Sequence, residues 1–158
     1  MKIGLIVACC VSAITLLALL VRSRVAPTYS VSARDMSKVI NQLKGSGKNG
    51  HFAVLIFVPP GSTDGEAVNL QYSTEGGVVG LDWALVAPRN IADQKKVREF
   101  ASNLGYRLEE HEMNNVHYLR VTDGSISELG TKIVEELYGV AANARLQMIT
   151  EGFRWKPQ

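Results

Sequence analysis

Residues 67–90, AVNLQYSTEGGVVGLDWALVAPRN, decide how this chain folds. Val68, Leu70 and Tyr72 alternate with Asn69 and Gln71, the period-two pattern of a strand with one buried face. Glu75-Gly76-Gly77 follows, and residues tolerant of positive φ suit a tight hairpin. Residues 78–87 then read as the returning strand, with Val79, Leu81, Trp83 and Leu85 on one face and Pro88 closing it. Strands joined by so short a connection pair antiparallel, so a mainly antiparallel sheet is the expected frame.

Working outward, residues 51–58 (HFAVLIFV) are apolar on both faces, which marks a central or doubly buried strand ended by Pro59-Pro60-Gly61. Upstream, Met36, Val39, Ile40 and Leu43 fall at helical spacing. Ser32 with Asp35 three residues on is capping-box-like, so a helix is predicted over 32–44 with Gly45 as its stop. Downstream, Asn90 is the expected cap of a second helix, with Asp93 at its third position and Val97, Phe100, Ala101 and Leu104 as its buried stripe. Residues 106–112 and 116–121 flank Asn114-Asn115, a pair suited to a type I′ turn. Ser125 and Glu128 form a capping box for a last helix whose core face is Ile126, Leu129, Ile133 and Leu137, ended by Gly139. In the tail, Leu146, Met148 and Thr150 alternate with Gln147, Ile149 and Glu151, which allows a sixth strand. Phe153 and Trp155 are too apolar to leave in water and are expected to dock. The expected body is a small α+β domain over residues 35–158, in the order α-β-β-β-α-β-β-α.

Residues 3–21 carry no charge, and Arg22 and Arg24 follow at once. Ile3, Leu5, Ile6, Val7, Leu16, Leu17, Leu19, Leu20 and Val21 dominate the run. At about 1.5 Å per helical residue it approaches the ~30 Å of a bilayer core. The expectation is an N-terminal transmembrane helix over 3–21, a single pass, and an extended linker over 22–34 carrying Pro27. A cleaved signal would want a shorter apolar core, and Arg24 stands where its cleavage site needs a small residue. A lipoprotein signal at Ile6-Val7-Ala8-Cys9 has too little apolar sequence ahead of the cysteine. Lys2 against Arg22, Arg24, Arg34 and Lys38 places the domain in the cytoplasm by the positive-inside rule, although anchors with one leading lysine often export the attached domain. Gly4, Ala8 and Ser12 share a helix face that could support dimerisation, or simply reflect the small residues common in such helices. Both cysteines, Cys9 and Cys10, lie in this run, which leaves the domain no disulfide and no thiolate cage for a metal.

The chain has 158 residues and a net charge of +2, and the domain's charges nearly cancel. No basic stripe interleaved with aromatics appears, so nucleic acid is not an expected partner. Gly45–Lys48 lacks the hydroxyl residue and the strand-to-helix setting of a phosphate loop. Glu110, Glu112 and His117 would share a face near the Asn114-Asn115 hairpin tip, which is a weak metal constellation beside the plainer reading of a solvated tip. Asp82 stands out as a carboxylate inside an apolar strand. Either it is buried and paired at a functional site, or it lies on the solvent face with Arg89 or Lys95 as its partner. A ligand-binding site would therefore centre on Asp82, Trp83, Arg89 and Asn90. No nucleophile, base and orienter assemble, so no catalytic residue, cofactor or metal is assigned.

The element order over residues 32–139, and that order alone, resembles the secretion-chaperone-like α+β fold of type III secretion chaperones and related bacterial proteins, while LQYSTEGGVVGLDWALVAPRN at 70–90 looks like a conserved-protein signature with no function attached to it. That resemblance implies a sheet with helices on one face, often dimeric, used to bind other polypeptides. The chain departs from it in its apolar leader and tail. The expected role is that of an anchored adaptor or chaperone-like protein-binding domain, with the membrane and another protein as partners and a homodimer as a further possibility. The alternative is a small ligand-binding or hydrolytic domain around Asp82 and Arg89.

Overall fold

The structure is a computed structural model and describes residues 27–157. Its strands are β1 (Thr28–Val31), β2 (Phe52–Phe57), β3 (Val68–Glu75), β4 (Val78–Ala84), β5 (Glu109–Met113), β6 (Val116–Val121) and β7 (Leu146–Glu151). They form one antiparallel sheet in the order β1-β7-β2-β3-β4-β6-β5. The helices are α1 (Met36–Ser46), α2 (Pro88–Ala92), α3 (Gln94–Asn103) and α4 (Ile126–Lys132), and α4 runs on into a π turn at Ile133–Leu137.

Both expected hairpins close on two residues in the left-handed region. These are Gly76 (φ 56°) and Gly77 (φ 81°) in one, and Asn114 (φ 52°) and Asn115 (φ 62°) in the other. The second turn pairs Met113 with Val116 and Glu112 with His117. At the front of α1, Asp35 accepts hydrogen bonds from the Ser32 N–H (3.0 Å) and hydroxyl (2.9 Å). The helix passes through Gly45 and stops at Gly47, which takes the left-handed angle that ends a helix.

All the described helices pack on one face of the sheet. Leu55, Leu70, Tyr72, Leu81, Trp83, Leu119 and Met148 point into that layer beneath Met36, Val39, Leu43, Val97, Leu129 and Ile133, and all of them are fully buried. Gly130 lets α4 approach closely, because a side chain there would run into the Tyr72 hydroxyl and the Met36 sulfur. Tyr72 donates its O–H to the carbonyl of Ile126, so the close approach is also hydrogen-bonded.

The expected fold class needs correcting. Among the described residues no helix is long and apolar enough to cross a membrane, so the transmembrane, single-pass element is not part of the architecture seen here. The residues assigned to it, 3–21, lie outside the described residues. The sheet also gains strands at one side. Residues 28–31, expected in the linker, pair with β7 as an edge strand, and β7 itself inserts between β1 and β2. Sequence alternation identifies a strand, but its neighbours are chosen by long-range contacts.

The helical segments differ in phase as well. The second helix begins at Pro88, whose missing N–H costs nothing at a first helical position, and Asn90 is internal to α2. In the last helix the Tyr138 N–H bonds back five residues to the Ile133 carbonyl (3.2 Å). That extra residue rotates the face presented to the sheet. Val134 and Tyr138 are buried, while Leu137 is only half-buried.

Candidate functional site

The sheet's other face carries the most unusual chemistry. Cross-strand partners point the same way, so the register Gln71–Asp82–Arg120 and the pair Ser73–Gly80 place Asp82, Arg120 and Ser73 together on the side no described helix covers. Arg120 lies flat across Gly80, where a Cβ would come within 2.6 Å of the guanidinium carbon. Only glycine leaves room for that path.

The guanidinium is fully engaged. Its Nη1 donates to Asp82 Oδ1 (2.5 Å) and Ser73 Oγ (3.0 Å), and its Nη2 to the carbonyls of Ser73 and Val78 (both 3.2 Å). Its Nε faces Glu75 Oε2 at 3.4 Å. Ser73 Oγ donates to Asp82 Oδ2, and Tyr118 donates to Glu75 Oε1, each at 2.5 Å. Asp82 is 1 % and Arg120 3 % exposed. Burial pushes the Asp82 carboxyl above its ordinary range, against the pull of Arg120 and the Ser73 hydroxyl. Burial, reinforced by the hydrogen bond to Glu75, raises the Tyr118 hydroxyl too.

Chemically this network is a brace. Four guanidinium N–H groups are hydrogen-bonded to protein acceptors and the Nε lies within ion-pair distance of Glu75, so the cation is spent inside the protein. Ser73 has a carboxylate beside it, but no imidazole stands within the network to relay its proton. What the cluster does is bind β6 to β3 across β4.

The other candidate residues lie on the helix side. Trp83 points opposite to Asp82, and its Nε1 donates to the Asn90 carbonyl (2.9 Å). Asn90 is fully buried and uses both ends of its amide on one residue. It accepts from Asn69 N (3.0 Å) and donates to Asn69 O (2.7 Å). It thereby continues the ladder of β3 beyond the last β3–β4 pair, Gln71–Asp82, while β4 stays with β6 as far as Ala84–Tyr118. An amide is the side chain that can offer a strand both a donor and an acceptor.

Arg89 is held by Asp93 (Nε to Oδ2, 2.6 Å) and Glu66 (3.3 Å). Tyr138, delivered by the π turn, donates to the same Asp93 oxygen (2.8 Å). Its ring stacks on Trp83 at 6.2 Å and meets Phe57 edge-on at 5.6 Å. Lys96 Nζ sits 4.6 Å from the ring centroid. Burial alone would raise the Asp93 carboxyl, but the hydrogen bonds from Arg89 and Tyr138 prevail and hold it below its ordinary range. Asp82 and Arg89 therefore stand on opposite sides of the sheet, and Lys95 faces Glu99 at 3.6 Å. Arg120, the real partner of Asp82, does not stand out in a reading of the sequence. Its position as a lone cation in the apolar run 116–121 is the one available signal.

The hairpin-tip residues do not converge. Glu112 faces His117 at 3.7 Å, while Glu110 is taken by Arg98 at 2.7 Å. Among the described residues, no group of three or more His, Cys, Asp or Glu side chains is placed to hold a metal. A shallow groove between α1 and α4, lined by residues such as Arg34, Glu128 and Lys132, is an open surface of solvated charges.

Beside the brace, the same face carries Phe52, Ile56 and Ile149, all half-buried, around the buried Val54. Val78 is 50 % exposed on that side and Met113 47 %. No protein-family model, curated protein or solved structure matches the chain, so nothing in these comparisons bears on the likeness to secretion chaperones.

Proposed function

We propose that this domain is a protein-binding module, adaptor or chaperone-like, that offers to another polypeptide the face of its sheet that no described helix covers. One observation carries this reading. The face combines a closed polar brace with an adjoining apolar strip of half-buried Phe52, Ile56 and Ile149 around the buried Val54. A rigid surface with apolar patches suits docking of a macromolecule, because its flat area can be desolvated without new side-chain ordering. In the brace the Nη donors of Arg120 and the Ser73 hydroxyl are already spent on one another and on Asp82, which favours a structural role for the cluster.

Site-specific photo-crosslinking of the full chain in its own cells tests the reading. A photoreactive residue at Ile56 should give a discrete adduct, and one at Glu99, on the exposed side of α3, should give none. An adduct of twice the chain mass would identify the partner as a second copy. Equal labelling from both positions, or none from Ile56, would overturn the proposal.

A further inference from the structure

We draw no further inference here: the strongest candidate, the apolar strip of Phe52, Val54, Ile56 and Ile149 on the face of the sheet that no described helix covers, belongs to the site already described, and nothing in the structure shows what covers it.

Discussion

On the helix side of the sheet, Leu55, Leu70, Leu81 and Trp83 are removed from water by other apolar side chains; on the far side, Asp82 and Arg120 are removed from water by each other. The first kind of burial is non-directional. Each large side chain contributes roughly 1.5–3 kcal/mol in proportion to the apolar area it buries. The second kind is conditional. Desolvating two charges costs about as much as their attraction returns, so the pair adds little while whole and a great deal of cost once halved. The helix side thus supplies stability, and the brace supplies a strict demand on strand order and register.

The sharpest way to break this contrast is to remove half of the brace. Arg120→Met leaves the Asp82 carboxyl buried without its cation and is expected to cost roughly 3–5 kcal/mol in urea unfolding. The double variant Arg120→Met with Asp82→Leu should recover most of that loss. If the double is no better than the single, the brace is not a conditional pair.

On the helix side, Gly130→Ala forces a methyl group toward the Tyr72 hydroxyl and the Met36 sulfur. The expected loss is about 1–3 kcal/mol from overpacking, read as a lowered Tm. Tyr138→Phe is milder. It keeps the stacking on Trp83 and removes one hydrogen bond to Asp93, for an expected loss of about 1–2 kcal/mol by the same measurement.

The smallest effect separates the two faces by sign. Asp93 has a folded-state pKa below its ordinary 3.8. Its contribution is present above that value and is lost as pH falls through the folded pKa. Asp82 has a folded-state pKa above its ordinary 3.8. Its contribution is fully present below that value and declines as pH rises through the folded pKa. Stability measured from pH 2 to 7 should therefore show the gap between wild type and Asp93→Asn widening as pH rises. The gap between wild type and Asp82→Asn should shift the other way. Slopes of the same sign in both variants would contradict the electrostatics described.

The parts of the fold that could be read in the sequence are those governed by neighbours along the chain. Gly76-Gly77 and Asn114-Asn115 had to be turns because few other residues take those angles, and each turn set its own hairpin register. Apolar spacing placed Val97, Ala101 and Leu129 in the core. Asp82 could be picked out because a charge in an apolar strand needs a reason. Its partner could not, because β4 and β6 meet only through the β3–β4–β6 order, which no local pattern encodes. Asn90 misled for a related reason. A cap and a surrogate strand partner call on the same amide, and only the position of Asn69 distinguishes them.

By itself, then, the sequence determined the antiparallel hairpins, the helical stripes and the oddity of Asp82, since dihedral preference and hydrophobic period are properties of short segments. The tertiary structure alone decided that residues 28–31 join the sheet as an edge strand, that β7 inserts between them and β2, that a π turn brings Tyr138 onto Trp83, and that Arg120 crosses Gly80 to reach Asp82. Each of these joins residues far apart in the chain. The free energy that selects them comes from desolvating both partners at once, which neither segment can express alone.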